Sequence, residues 1–261
     1  NDTAIKLARH YWILKGKPNR QKIISRTLSY HGVAFGSTNA TGIEGFRKFT
    51  NSPAPDFYYV NKDSAEELEK LILELGPENV AAFISEPVQG AGGVNVPKPD
   101  YFKKVRQICD EYGILFIADE VITGFGRTGK NFGIEHFNVV PDMMTFAKGV
   151  SSGYAQLGGV IISEKIHQDL CALSKGVLMH GYTYSGHALA CAVGLKNIEI
   201  IEREGLVQNA KEMGEEMLKG FKALKQKYDF LGEVRTFGLL GAIQIVKNRE
   251  TGELFDPLLS P

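Results

Sequence analysis

Ile114-Leu115-Phe116-Ile117-Ala118-Asp119-Glu120-Val121 is the stretch that decides the fold. An unbroken apolar run from Ile114 to Ala118 ends on two carboxylates. A strand with one wet face alternates apolar and polar residues. A short continuous run instead fits a strand buried on both faces, as in parallel sheets covered by helices. The same kind of run recurs outward in both directions: Lys22 to Thr27 and Val80 to Ser85 upstream, Met143 to Ala147 and Gly159 to Ile162 downstream. Helical spacing fills the intervals. Phe102, Val105, Cys109 and Tyr112 mark a helix from Tyr101 to Tyr112, and Leu68, Leu71, Ile72 and Leu75 mark another that Gly76-Pro77 ends. Ala4, Leu7, Ala8 and Tyr11 stripe a helix over the first fifteen residues, with Asn1 or Asp2 as N-cap and Gly16-Lys17-Pro18-Asn19 as its stop. Strand and helix in alternation predict an α/β fold, a three-layer sandwich around a mostly parallel sheet.

From Ala188 the texture changes. A helix runs into Arg203, a long charged helix spans Val207 to about Tyr228, and strand-like Gly232 to Arg235 and Leu239 to Val246 follow. Residues 1–190 are therefore expected to form the larger domain, and residues 191–261 a connecting helix with the start of a smaller C-terminal α/β domain. The chain opens mid-pattern on Asn1-Asp2-Thr3 and stops at Ser260-Pro261, which reads as a fragment of a longer protein. With 261 residues, 43% of them hydrophobic, it can bury a substantial core. Thirty basic and thirty acidic residues cancel without any like-charged block, which argues against a nucleic acid or an anionic membrane as partner. No apolar run approaches a membrane span in length. Cys109, Cys171 and Cys191, an odd number in apolar-rich segments, read as reduced, buried thiols of a cytoplasmic protein.

Parallel sheets bind ligands beyond the carboxyl ends of their strands, and Glu86, Asp119 and Lys148 each fall at or just after such an end. Lys148, in Asp142-Met143-Met144-Thr145-Phe146-Ala147-Lys148-Gly149-Val150, and Asp119 make the pair that pyridoxal 5'-phosphate chemistry needs. The amine forms a Schiff base with the cofactor aldehyde, and the carboxylate keeps the pyridine nitrogen protonated so that the ring accepts electrons. Lys148 must present a neutral amine, which burial favours. Val121, two residues beyond Asp119, points the same way and can pack on the ring face opposite Tyr30.

Ser29-Tyr30-His31-Gly32 would lay the Tyr30 ring against the cofactor, with Gly32 allowing a close turn; a buried aromatic beside a capped histidine is the plainer alternative. Glu86, opening Glu86-Pro87-Val88-Gln89-Gly90, either hydrogen-bonds near the cofactor, holds a nearby cation, or is a solvated loop carboxylate. Glu120 and Arg127 are read as salt-bridged. Gly181-Tyr182-Thr183-Tyr184-Ser185-Gly186-His187, before a helix of small residues, suits phosphate binding or else a polar turn with Ser185 as N-cap. No metal is expected. A nicotinamide dinucleotide is disfavoured, because no G-x-G-x-x-G follows the first strand.

These segments, in this order, resemble the class III (omega) aminotransferases of the pyridoxal-phosphate fold type I, and the resemblance covers essentially the whole chain. It implies that Lys148 is the Schiff-base lysine and Asp119 the partner of the pyridine nitrogen. Tyr30 and Val121 would enclose the ring, with His31, Gly32, Glu86 and Ile122 around it. Thr183 would reach the phosphate of a neighbouring subunit, making a homodimer with a shared active site. The family's main phosphate loop would precede Asn1, and its carboxylate-binding arginine would follow Pro261. Some relatives carry glutamine where this chain has Ile122, which points to the members that use pyruvate as acceptor. The implied reaction is ping-pong transfer of an amino group from an omega-amino acid or primary amine to a keto acid. An aminomutase or racemase of the same fold, or an inactive fragment of a transaminase, are the alternatives.

Overall fold

The computed structural model describes residues 1–49 and 54–255. Helix α1 (Asp2–Leu14) leads into strand β1 (Lys22–Arg26), two short helices α2 (Phe35–Ala40) and α3 (Glu44–Lys48), and strand β2 (Phe57–Val60). Helix α4 (Ala65–Leu75), strand β3 (Val80–Ser85), helix α5 (Tyr101–Glu111) and strand β4 (Leu115–Asp119) follow. Strands β5 (Met143–Phe146) and β6 (Gly159–Ile162) then complete a six-stranded sheet of order β2-β1-β3-β4-β5-β6. All pairs are parallel except the edge pair of β5 with β6. Helix α6 (Glu164–Leu173) closes this unit.

The side-chain alternation of β4 builds the layers. Phe116 and Ala118 face one core with Phe102, Val105 and Cys109 of α5 and Leu68 and Ile72 of α4. Leu115 and Ile117 face the other, with Ala4, Ile5 and Ala8 of α1 and Ile166 of α6. A period of two along a strand sends neighbours to opposite faces, so the apolar run reads as two interleaved apolar faces, each covered by helices. Stacked rings knit the first core, with Phe116 centred 6.2 Å from Phe83 and 5.8 Å from Phe102. Each such ring, removed from water completely, contributes about 1.5–3 kcal/mol. The three-layer α/β sandwich expected from the sequence is therefore present.

Beyond it, helix α7 (Ala188–Arg203) and helix α8 (Leu206–Lys227) lead to an antiparallel pair, β7 (Leu231–Phe237) and β8 (Leu240–Ile245), that forms a sheet of its own. The turn of this hairpin docks on the loop after β4. Leu239 donates its N–H to the Arg127 carbonyl at 2.9 Å, and His136 packs edge-on against Phe237. Gly238 has φ +54°, and a Cβ there would lie 2.4 Å from the Thr128 carbonyl carbon. Only glycine satisfies both the turn and the contact. The end of the expected second domain, residues 256–261, lies outside the described residues.

Several expectations are revised. Strand β2 was unread because three of its four residues, Phe57, Tyr58 and Tyr59, are only half-buried at the sheet edge. Asn1 occupies the N-cap position of α1, yet its side chain makes no capping bond. All three cysteines are free, but Cys109 alone is buried and Cys171 is exposed. Ile166 and Leu170 form the inward stripe of α6 and leave Cys171 outside it. No helix among the described residues is long and apolar enough to cross a membrane.

Candidate active site

The carboxyl ends of β1, β3, β4 and β5 deliver the side chains that the sequence singled out to one cavity of about 210 Å³. Eight of the nine expected residues line it: Tyr30, His31 and Gly32 after β1, Glu86 after β3, Asp119, Val121 and Ile122 at the end of β4, and Lys148 after β5. The ninth, Thr183, is exposed and outside it.

Asp119 closes β4 and is 3% exposed. Its Oδ2 accepts from His31 Nδ1 at 2.7 Å and from Asn1 Nδ2 at 2.7 Å, and its Oδ1 accepts from the Val121 N–H at 3.1 Å. Burial pushes this carboxyl up, but the hydrogen bond and charge of His31 with the Val121 and Asn1 donors outweigh it and hold Asp119 below its ordinary range. An ionised carboxylate only accepts, so the His31 imidazole donates from Nδ1. The His31 backbone N–H is in turn tied to Thr41 Oγ1 at 2.9 Å. His31 therefore stands behind Asp119, with Nε2 buried and without a partner among the described residues.

Glu86 is also 3% exposed, which removes the solvated-loop reading. Its carboxylate accepts from the backbone N–H groups of Tyr30 and Gly90, each at 3.1 Å, bridging two loops of the site. Burial dominates here and lifts Glu86 to about 7, against the opposing pull of His31 and with Asp119 adding to the rise. Tyr30 is half-buried, its ring braced edge-on by Phe46 at 5.1 Å.

Lys148 opens a tight turn, Lys148–Val150, with φ +42°. That left-handed conformation is strained for a residue with a Cβ, and such strain concentrates where a side chain must be aimed. Lys148 is exposed rather than buried, so the enclosure expected around its amine is not supplied by the described residues. A second cavity of about 430 Å³ lies on its other side, between Phe125 and Asn209 of α8.

Other sequence readings change. Glu120 makes no salt bridge among the described residues. Fully buried, it accepts from the Gly133 and Ile134 N–H groups at 2.8 Å each and from Thr123 Oγ1, fastening the loop after β4. Arg127 is exposed on the second cavity and has no ion pair among the described residues. The cap of α7 is His187, whose Nδ1 accepts from the Ala190 N–H, while Ser185 Oγ accepts from the Tyr182 N–H. Asn1 and Thr145 were missed. Thr145 Oγ1 lies 2.8 Å from Asn1 Oδ1 and 3.2 Å from Asp119 Oδ1. A lone hydroxyl inside the apolar run of β5 was the available signal.

The residues fit the ring end of pyridoxal phosphate. Thr145 has one hydrogen, and its shorter contact is to Asn1, which leaves Asp119 Oδ1 with a lone pair beyond the one taken by Val121. A buried, ionised carboxylate with an unspent lone pair on a cavity suits a protonated pyridine nitrogen. Lys148 supplies an amine on the same cavity, and Tyr30 and Val121 supply apolar surface. The phosphate end is less complete: among the described residues no serine, threonine or arginine lines the cavity.

A family model described as aminotransferase class-III matches residues 1–259. The chain is 41% identical to a putrescine–pyruvate aminotransferase of Pseudomonas aeruginosa over 98% of its own length and 59% of that protein's. It is 39% identical to a diaminobutyrate–2-oxoglutarate transaminase of Halomonas elongata over 99% of its own length and 60% of that protein's. Among solved structures, a transaminase from the marine bacterium Virgibacillus superposes with a TM-score of 0.96 at 53% identity, over 99% of this chain and 60% of that one. The chain thus spans about three fifths of the length of the relatives it matches.

Proposed function

This chain belongs to the class III aminotransferases, a pyridoxal-phosphate-dependent family, and from that premise we propose that the whole protein moves an amino group from a primary amine or omega-amino acid to a keto acid, pyruvate above all. The observation that carries the reading is the meeting of Lys148 and an ionised, buried Asp119 on one cavity at the carboxyl ends of a parallel sheet. Putrescine and pyruvate in the name of one relative support the substrate class, and 2-oxoglutarate in the name of another supplies the competing acceptor.

Pyridoxal phosphate, when bound, supplies an aldehyde for Lys148 and a ring that takes up an electron pair. Asp119 would hold the proton on the ring nitrogen, backed by the His31 donor. Tyr30 and Val121 would hold the ring between them, so that the substrate bond to be broken can be kept perpendicular to the ring plane. The Lys148 amine, when free, would take a proton from the substrate carbon that bears the amino group and later give one back, acting as both base and acid. Glu86 would keep the Tyr30 and Gly90 loops closed around this space.

The same reading makes the whole protein a homodimer with a shared site. Its support is Thr183, solvent-exposed in a segment whose Met179, Tyr182 and Tyr184 are also exposed, at 89%, 63% and 78%. Such a face calls for a partner, and Thr183 would meet the phosphate from there. The division into units 1–190 and 191–261 is part of the reading, supported by the separate β7–β8 sheet. A screen of amine donors against pyruvate and 2-oxoglutarate, with Lys148→Ala as control, tests the function. Transfer to pyruvate that vanishes in the variant is expected; turnover at the wild-type rate in Lys148→Ala would refute it.

A further inference from the structure

The geometry points to Asn1 and Thr145 as positioning residues that aim the Asp119 carboxylate into the cavity. The inference rests on the reading of this cavity as a pyridoxal phosphate site, and it concerns side chains outside the set that the sequence analysis assigned to it. The Asn1 carboxamide sits at a crossing of three elements. Its Nδ2 donates to Asp119 Oδ2 at 2.7 Å and to the His31 carbonyl at 2.7 Å, while its Oδ1 accepts from Thr145 Oγ1 at 2.8 Å. This employs both hydrogens of Nδ2 and fixes which way round the amide lies. The start of α1, the loop after β1, the end of β4 and the middle of β5 are thereby joined through one side chain.

A carboxylate with donors on Oδ2 alone is free to rotate about its Cβ–Cγ bond. With His31 and Asn1 on Oδ2 and Val121 N–H on Oδ1, both oxygens of Asp119 are assigned, and rotation would break three bonds to charge. Thr145 completes the device from beside both groups, its Oγ1 3.2 Å from Asp119 Oδ1 and closer still, at 2.8 Å, to Asn1 Oδ1. Its hydroxyl holds Asn1 Oδ1, and hence keeps Nδ2 turned toward Asp119. Asn1 gives up the capping of its own helix to do this; α1 has no side-chain cap bond. Thr145 is buried at 1% exposure, so its hydroxyl finds no solvent in exchange. Asp119 lines the cavity, and its Oδ1, with an acceptor position left, would be the atom to meet a protonated ring nitrogen.

The test compares two ligands in the whole protein: pyridoxal 5'-phosphate and its 1-deaza analogue, in which a C–H replaces the ring nitrogen. Dissociation constants come from equilibrium dialysis of wild type, Asn1→Ala, Thr145→Val and Thr145→Ser. Losing the aim of a charge-assisted contact should weaken pyridoxal phosphate about tenfold in Asn1→Ala and Thr145→Val. The deaza analogue should change less than about twofold, and Thr145→Ser should restore wild-type affinity. Equal weakening of both ligands would mean a merely structural role and overturn the proposal, as would no weakening of either. If Thr145→Val does not fold, Asn1→Ala, at a helix start, carries the comparison alone. A wild-type protein that binds neither ligand overturns the reading of the site, and the proposal with it; binding by wild type with unaffected variants overturns the proposal alone.

Discussion

Replacing Glu86 with Gln should change how the protein's stability depends on pH, in a direction that the structure fixes. Glu86 is nearly fully buried, and burial raises its pKa to about 7 from an ordinary 4.5. The folded state thus holds a proton that the unfolded chain has released. Below the unfolded value both states are protonated and the carboxyl contributes fully to stability. As pH rises toward and through 7, the unfolded state gains from ionising first, and that contribution is lost. A shift of about 2.5 units at about 1.36 kcal/mol each is roughly 3.4 kcal/mol in total, of which about 2.5 kcal/mol falls between pH 5 and pH 8. Gln does not titrate. Urea unfolding of cofactor-free wild type and Glu86→Gln at several pH values in that range therefore isolates the term. Wild type should lose about 2.5 kcal/mol relative to the variant as pH rises. Parallel curves, or a wild type that gains on the variant with rising pH, would show that the Glu86 carboxyl is not held protonated by burial.

Phe116→Ala should destabilise the protein by about 3–5 kcal/mol in denaturant titrations, because it empties a fully buried ring site stacked between Phe83 and Phe102. A loss under about 1 kcal/mol would mean that the two rings close the gap. Asp119→Asn should lower kcat by about two to four orders of magnitude. The amide cannot accept from His31, Asn1 and Val121 at once, nor hold a proton on a ring nitrogen; steady-state kinetics with unchanged kcat would remove Asp119 from its role.

Much of this site is legible in the sequence because parallel strands end where their ligands bind. Once Leu115 to Ala118 is taken as a strand buried on both faces, Asp119 has to emerge at the sheet's carboxyl edge, and the same logic applies to Glu86 and Lys148. What the sequence hid were contacts made across the fold. Asn1 and Asp119 are 118 residues apart, and Asn1 looked like a helix cap. Thr145 read as an interruption of an apolar strand, since its partner was on another element. Glu120 carried the same ambiguity: adjacent to Asp119, it turns into the interior to bind the Gly133 and Ile134 amides, and no spacing rule distinguishes that from a surface ion pair. The aromatic edge strand β2 escaped notice because half-buried tyrosines mimic a loop.

The most direct test is to load the whole protein with pyridoxal 5'-phosphate, reduce it with borohydride and map the modified peptide by mass spectrometry. A phosphopyridoxyl group on Lys148, absent from Lys148→Ala, is the expected result. The same adduct on another lysine, or none on Lys148 in protein that has taken up the cofactor, would contradict it.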